Sequence, residues 1–135
     1  MSEQRITVSS GSPFEERVGY ARAVRVGPLV VVAGTTAPGE GIADQAREAL
    51  RRIEIALGEA GAAMADVVRT RMFVTDISRW QEVAAVHAEV FGDIRPVASM
   101  LEVSALIAPE LLVEIEVDAY VEHDRPSSAS DHGAD

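Results

Sequence analysis

The sequence contains no cysteine, and it has 12 basic residues against 22 acidic ones. Without thiols, a disulfide framework, a thiolate metal site and a catalytic cysteine are all excluded. The formal net charge of −10 argues against a nucleic-acid partner, because proteins that bind phosphate backbones present clusters of cations. We therefore expect a small molecule or another protein as the partner.

Long hydrophobic runs are also missing. No segment approaches the roughly 18 consecutive apolar residues that a membrane-spanning helix needs. The amino terminus, MSEQRITVSS, has no apolar stretch behind a basic one, as a secretory signal would have. We expect a cytoplasmic protein that does not bind membranes.

A length of 135 residues with 47% hydrophobic content corresponds to one domain with a sizeable core. We assign this domain to residues 1–122. The remaining stretch, 123–135, is short, polar and net acidic, and we expect it to be a disordered tail.

The first half of the chain predicts a hairpin followed by a helix. Two β-rich runs, Tyr20–Val26 and Leu29–Ala33, meet at Gly27 and Pro28, which suit a type II′ turn. A short strand near Ile6 is a further candidate. The segment GIADQAREALRRIEIALGEAGA then repeats apolar residues at helical spacing and predicts an amphipathic helix.

The second half predicts a strand over Val67–Val74 and a second helix that begins near Ser78. Ser78 and Gln81 form an S-x-x-Q capping box, and Trp80 and Phe91 lie on the apolar stripe, where they are expected to pack in the core. A loop then leads into a strand over Ala98–Val103. The last segment, LVEIEVDAYV, alternates apolar and polar residues and predicts a strand with one buried face.

The run LVVVA is apolar at every position, which is typical of a strand covered on both faces. Two helices can cover only one face of the sheet, so the other face is expected to pack against another chain. The sequence therefore predicts an α+β protomer that assembles with copies of itself.

Several stretches, in this order, resemble the Rid/YjgF family, also known as endoribonuclease L-PSP-like. They are GYARAVRVGPLVVVAGTTA, QAREALRRIEIALGEAGA, DVVRTRMFVTDISRW, EVFGD, RPVASMLEVSAL and LLVEIEVDAY. The resemblance covers about residues 6–121. It implies a chorismate-mutase-like α+β fold with a mixed sheet and two helices on one face. It also implies a homotrimer with a central β-barrel and three clefts between subunits.

The best-known relatives are imine deaminases, which hydrolyse reactive enamines and imines such as 2-aminoacrylate. The resemblance implies that Glu114 positions the attacking water or transfers its proton and that Tyr20 lies in the cleft. The family arginine that grips the substrate carboxylate corresponds to Ala98 in this sequence. Further positions of the family cleft correspond to Ala33, Ala84 and Met100.

Losing the arginine makes hydrolysis of 2-aminoacrylate doubtful unless another cation replaces it. Arg71 and Arg95 are the first candidates and Arg22 is the third, although each also suits a solvated surface position. Thr35 offers a hydroxyl to a ligand from the glycine-rich segment GTTAPGEG. His87 has no second histidine at metal-ligand spacing, and we predict neither a metal nor a cofactor.

Two functions remain open. One is hydrolysis of an imine or enamine that depends less on a carboxylate, with Glu114 positioning water. The other is a non-catalytic trimer that binds a small metabolite in its clefts or acts as a partner or regulatory protein, in which Glu114 is only an interface carboxylate.

Overall fold

The computed structural model describes residues 4–122, which form six strands and three α-helices. The strands are β1 (Arg5–Val8), β2 (Ala23–Val26), β3 (Leu29–Thr35), β4 (Val67–Val74), β5 (Val97–Glu102) and β6 (Val113–Tyr120). The helices are α1 (Pro13–Val18), α2 (Ile42–Glu59) and α3 (Trp80–Phe91), with short 3-10 turns at Met64–Asp66 and Ile77–Arg79. The predicted tail, 123–135, lies outside the described residues.

The strands form one mixed sheet in the order β1-β2-β3-β6-β4-β5. All neighbouring strands are antiparallel except β4 and β5, which are parallel and are connected through α3. A parallel pair needs such a crossover, whereas β2 and β3 are joined by a two-residue hairpin. Gly27 in that hairpin has a φ of +59°, as the predicted turn requires. The mixed α+β architecture is confirmed.

The core lies between the sheet and the pair α2 and α3. Helix α2 packs on β3 and β6 and against α3. The alternation predicted for the last strand is confirmed, since four of its apolar residues, Val113, Ile115, Val117 and Ala119, are at most 1% exposed. Each large side chain buried in this way stabilises the fold by about 1.5–3 kcal/mol. None of the helices within residues 4–122 is long and apolar enough to cross a membrane.

The opposite face of the sheet carries exposed apolar residues. On β3, Val30 and Val32 are buried under the helices, whereas Leu29 is 47% and Val31 36% exposed. Tyr120 on β6, which pairs with Leu29, is also exposed. Strand β3 therefore has apolar side chains on both faces of the sheet, but within a single chain only the face toward the helices is covered. Cover by a second chain stays a prediction.

The structure corrects the bounds of three predicted strands and one predicted helix cap. Strand β3 ends at Thr35, two residues after the predicted end at Ala33. Strand β2 begins at Ala23, so the predicted start at Tyr20 is three residues too early. Strand β5 begins and ends one residue before the predicted range, Ala98–Val103. The capping box at Ser78 does not form, because the carboxylate of Asp76 caps a 3-10 turn there and accepts hydrogen bonds from the backbone N–H and the hydroxyl of Ser78.

Two further differences concern single features. Trp80 is the first residue of α3 and is 48% exposed, so its predicted core position was wrong, whereas Phe91 is buried. Helix α1 was not predicted. Its signals are ordinary ones, because the Ser12 hydroxyl caps it, Pro13 occupies its first turn, and Gly19 ends it in the left-handed conformation.

Candidate active site

An open cleft of about 1210 Å³ lies beside the start of β6. Its walls come from five parts of the chain: the segment from Ser9 to Arg22, which includes α1, the end of β3 with Thr36, the C-terminal half of α2, the loop before β6, and the start of β6. It is lined by Ser9, Ser10, Gly11, Ser12, Phe14, Val18, Tyr20, Arg22, Ala33, Gly34, Thr35, Thr36, Arg52, Ile55, Ala56, Glu59, Ile107, Ala108, Glu110, Leu111 and Glu114.

Glu114 is the half-buried carboxyl group of this cleft. Burial raises its pKa, the negative charge of Glu116 on the same strand raises it further, and the positive charge of Arg22 partly offsets both effects. A carboxyl group with a raised pKa exchanges protons more readily near neutral pH, which general acid–base catalysis requires. Glu114 therefore has the environment of an acid–base group.

The carboxyl group of Glu114 lies directly against the backbone of Gly34. A Cβ atom added at Gly34 would be only 1.9 Å from Glu114 Oε2. The pairing of β3 with β6 also shifts register between Val32 and Thr35, as at a β-bulge. The missing side chain at Gly34 thus leaves space at this irregularity for the Glu114 carboxyl group.

Arg22 binds the backbone of the same irregularity. Its Nη1 donates hydrogen bonds to the Gly34 carbonyl and to Thr35 Oγ1, both at 2.9 Å. The Thr35 hydroxyl in turn donates to the Ala33 carbonyl at 2.8 Å. These contacts satisfy polar groups that the shifted strand pairing leaves without a ladder partner. They also fix the guanidinium of Arg22 at the cleft wall.

The other side of the Arg22 guanidinium faces Tyr20 and Glu15. Its Nη2 lies 3.4 Å from the Tyr20 hydroxyl, and its Nε lies 3.8 Å from Glu15 Oε2. Glu15 accepts hydrogen bonds from the Ser9 hydroxyl and from the backbone and hydroxyl of Ser10. The bond from the Ser10 hydroxyl is the main cause of the lowered pKa of Glu15, and Arg22 lowers it further. Glu15 is thus a stable anion behind Arg22.

A second group of predicted site residues lies at the β5 edge, which we define as Ala84, Ala98 and Met100 together with Thr70 and His87. Ala98 and Met100 pair with buried residues of β4, Thr70 and Met72, so they share the helix-covered side of the sheet. The ring of His87, one turn after Ala84 on α3, lies 2.9 Å from the Thr70 hydroxyl. Burial lowers the pKa of His87.

None of the β5 edge residues is among those that line the cleft. Of the positions predicted from the sequence, the structure brings Tyr20, Ala33, Thr35 and Glu114 together in the cleft. It places Ala84, Ala98 and Met100 elsewhere in the chain. Within a single chain, the first four of these residues therefore lie in the cleft and the other three lie at the β5 edge, apart from it.

The two arginines that ranked first as replacement cations are also outside the cleft. Arg71 Nη1 lies 2.9 Å from Glu116 Oε2 and 3.7 Å from Asp118 Oδ2, so its charge is already paired. Arg95 is exposed, has a φ of +62° and donates from its Nε to the Gly92 carbonyl. Only the third candidate, Arg22, lines the cleft.

Sequence reasoning missed Glu15, Gly34 and the two serines, Ser9 and Ser10. The sequence does contain a signal for the first of these, because S-P-F-E is a typical helix start that would place Glu15 in the first turn. No comparable signal marks Gly34. Among residues 4–122 no group of three or more histidine, aspartate or glutamate side chains is arranged to hold a metal ion.

Comparison with known proteins identifies the family. The family model described as Endoribonuclease L-PSP matches residues 11–121. The chain therefore belongs to this family, which is also called YjgF/YER057c/UK114. The family assignment made from the sequence stretches is confirmed.

Individual relatives differ in what is known of them. The crystal structure of Rv2704 from Mycobacterium tuberculosis, a member of the same family, is 74% identical, covers 87% of this chain and 100% of that one, and superposes with a TM-score of 0.87. An uncharacterised protein of Streptomyces coelicolor, SCO2049, is 40% identical over 88% of this chain and 94% of its own length. The 2-iminobutanoate/2-iminopropanoate deaminase of Salmonella typhimurium is 29% identical over 74% of this chain and 85% of its own.

Proposed function

We propose that this protein hydrolyses a reactive imine or enamine in the cleft, with Glu114 positioning the water and transferring its proton. The observation that carries the proposal is the half-buried carboxyl group of Glu114, whose pKa burial raises, at the wall of an open cleft. The similarity to the Salmonella deaminase supports the same reaction class.

The reaction needs only water and a proton carrier. The oxygen of water adds to the carbon of the C=N bond while the Glu114 carboxylate takes one proton from the water and passes it to the imine nitrogen, which gives a neutral carbinolamine; an enamine first tautomerises to the imine. The Glu114 carboxylate then takes the proton of the carbinolamine hydroxyl and delivers it to the nitrogen as the C–N bond breaks and C=O forms, so that ammonia leaves. The sequence contains no lysine, so a Schiff base with a lysine side chain cannot form in place of this route.

We propose further that the protein is a homotrimer whose neighbouring subunits complete each cleft. Leu29, Val31 and Tyr120 form an exposed apolar surface on the uncovered face of the sheet, and such surfaces favour association. A head-to-tail ring places different surfaces of two chains in contact. That geometry would bring the β5 edge of one subunit to the cleft of the next. Static light scattering tests it, with about three times 14.4 kDa expected and a monomer contradicting it.

The substrate is expected to differ from that of the best-known relatives. Family resemblance places the carboxylate-binding arginine at position 98, where this chain has alanine. We propose that the chain represents a branch without that arginine. Small 2-imino acids would then bind weakly at the β5 edge, because a desolvated carboxylate needs a cationic partner. With a net charge of −10, a small molecule is favoured over RNA.

The experiment is a competition for an imine formed in situ. An amino-acid oxidase releases 2-imino acids from alanine, leucine or phenylalanine, and semicarbazide traps the imine that has not yet been hydrolysed. The purified protein should reduce semicarbazone formation and increase free keto acid, and Glu114→Gln should not. No effect on any of the three imines would contradict the proposal.

A second function, binding of a metabolite without turnover, is favoured by one observation. The cleft is wide and partly apolar, and position 98 lacks the family cation. If imine hydrolysis is absent but small acids or aromatic compounds raise the melting temperature, this second function replaces the first.

A further inference from the structure

We infer that Arg22 binds the carboxylate of the ligand and that the ligand carries an apolar side chain, aliphatic or aromatic. The inference rests on the proposed function for the location of the site and names its substrate class. It assigns to Arg22 the charge recognition that position 98 cannot provide.

The hydrogen bonds of Arg22 leave one donor for a ligand. A guanidinium has five N–H groups in a fixed plane. Both hydrogens of Nη1 are used by Gly34 and Thr35, and Nε is directed toward Glu15. Nη2 has a single long contact, 3.4 Å to the Tyr20 hydroxyl, so one of its hydrogens has no acceptor among residues 4–122. That donor and the Tyr20 hydroxyl lie side by side.

The guanidinium is also held in place before any ligand arrives. Only 13% of the Arg22 side chain is exposed, and its contacts reach both the strand backbone and Glu15. A preorganised arginine loses little conformational entropy on binding, which distinguishes it from a mobile surface arginine. Glu15 acts as a positioning residue in this arrangement.

The other cation of the cleft is less suited to this role. Arg52 is 45% exposed and its Nε lies 3.1 Å from Glu48. Glu48 is bound by both Arg51 and Arg52, and these bonds lower its pKa to about 2. The charge of Arg52 is therefore paired and exposed to solvent, where an additional carboxylate gains little. Arg52 provides a matched control within the same cleft.

A carboxylate on Arg22 would also favour the proton-donating step of Glu114, which follows its uptake of a proton from water. Arg22 is near enough to Glu114 to lower its pKa. A bound carboxylate would neutralise that cation and place another negative charge nearby, and both changes favour protonated Glu114. Protonated Glu114 is the form that donates to the departing nitrogen. Substrate binding and proton donation would thus be coupled.

The apolar part of the inference comes from the cleft opening. Phe14, Val18, Ile55 and Ile107 line the cleft and are 45%, 68%, 48% and 73% exposed. They come from α1, α2 and the loop before β6, so three distant parts of the chain converge on one apolar wall. Exposed apolar residues gathered in a groove indicate a site that an apolar group covers. The cleft is much larger than pyruvate requires.

Binding of two matched probes tests the charge recognition. The probes are 4-methyl-2-oxopentanoate and its neutral amide, 4-methyl-2-oxopentanamide, measured by isothermal titration calorimetry with the full chain. We expect the acid to bind at least about tenfold more tightly than the amide. Arg22→Gln should abolish this preference, so that the acid and the amide bind about equally. Arg22→Lys should retain part of the preference, and Arg52→Gln should leave it unchanged.

The ratio of the affinities for the acid and the amide distinguishes carboxylate binding by Arg22 from a purely structural role of Arg22. If Arg22 only held the strand backbone, its replacement would lower the melting temperature and weaken both probes equally. Equal binding of acid and amide by the wild-type protein, no binding of either, or an unchanged preference in Arg22→Gln would overturn the inference. Arg22→Lys, checked by its melting curve, covers the case in which Arg22→Gln does not fold.

A second pair of probes tests the apolar wall. Wild-type protein should prefer 4-methyl-2-oxopentanoate over pyruvate by about 50-fold if the three additional methylene-sized groups are fully buried, and by about tenfold if a little more than half of their surface is buried. Ile55→Ser should reduce the preference severalfold. Val68→Ser, at a position 50% exposed and outside the cleft, is the control for an equally exposed apolar residue. Equal binding of the two acids would overturn this part.

These measurements do not depend on turnover. If the expected binding pattern appears and no imine is hydrolysed, the inference stands and the proposed reaction fails. If imines are hydrolysed but acid and amide bind equally, the reaction stands and the role of Arg22 fails.

Discussion

The cleft and the β5 edge differ in how firmly their side chains are held. In the cleft, Arg22 has several hydrogen-bonding partners and is backed by the buried Glu15, which Ser9 and Ser10 hold, and Glu114 fits against a glycine. At the β5 edge, Ala98 is exposed and carries only a methyl group. The cleft is therefore equipped for charge and proton chemistry, whereas Ala98 at the β5 edge can contribute only shape.

Under the proposed function, the charged groups of the site are divided between the two regions differently from what the family resemblance implies. Family resemblance implies a carboxylate-binding arginine at the β5 edge and an acid–base glutamate in the cleft. In this chain both the glutamate and the best-placed cation, Arg22, lie in the cleft. Substitutions on the two sides should consequently have unequal effects.

The largest effect is expected for Glu114→Gln. Loss of the proton carrier should reduce the rate of imine hydrolysis by about 100-fold or more. Glu116→Gln on the same strand is the control, because Glu116 pairs with Arg71 on the sheet surface. It should change the rate by at most about fivefold. Since Glu116 raises the pKa of Glu114, its removal should also shift the acidic limb of the pH–rate profile to lower pH. Similar losses in both variants would contradict the special role of Glu114.

The next largest effect is expected for Gly34→Ala. The new methyl group would occupy the position of the Glu114 carboxyl group and displace that flexible side chain. Hydrolysis should fall about tenfold, because small misplacements of a reacting group are costly, while the melting temperature changes little.

Gly58→Ala is the control for this substitution. A Cβ atom at Gly58 in α2 meets nothing within 4 Å, so the variant should keep full activity and be slightly more stable. Normal activity in Gly34→Ala would show that the position of Glu114 is not critical.

A smaller gain is expected for Ala98→Arg at the β5 edge. If this edge meets a neighbouring cleft, the new cation should lower the KM for 2-iminopropanoate by about fivefold. Ala85→Arg, at an exposed position on α3, controls for added charge alone. Equal responses of the two variants would place the β5 edge outside the site.

The smallest effects concern stability, and they have opposite signs for Glu15, which lies behind Arg22, and for Glu114, which lines the cleft. The pKa of Glu15 is lowered in the folded protein, so its contribution is present above the unfolded value of 4.5 and is lost as the pH falls through its folded pKa. The pKa of Glu114 is raised, so ionisation costs stability as the pH rises from 4.5 through its folded pKa.

Urea unfolding at fixed protein concentration measures the effect of each carboxyl group on the free energy of unfolding. At about pH 7, Glu15→Gln should lower the free energy of unfolding by about 1–2 kcal/mol, and Glu114→Gln should raise it. Both differences should shrink at about pH 3.5. A stabilising Glu15→Gln, or a destabilising Glu114→Gln, would contradict the assigned pKa directions.

The elements with strong internal periodicity could be predicted from the sequence. In α2 and β6 the spacing of apolar residues fixes both the element and its buried face, so Ile53 and Ile115 are buried as expected. A small part of the cleft could also be predicted, because the resemblance to the family identifies Glu114 and Tyr20.

The role of Arg22 could not be predicted in the same way. Its position depends on the register shift near Gly34 and on the packing of Glu15, contacts that no local pattern encodes. The same holds for Ala98, since in the proposed trimer its relation to the cleft would depend on contacts between chains.

The most direct test of the account is complementation between subunits. Its central claim is that the cleft of one subunit and the β5 edge of another form one site. Glu114→Gln and Ala98→Trp, each inactive as a purified homo-oligomer, would be co-expressed with different tags and purified as mixed assemblies. Recovery of imine hydrolysis is predicted, because some sites would combine an intact cleft with an intact β5 edge. Mixed assemblies that contain both variants and remain inactive would contradict it.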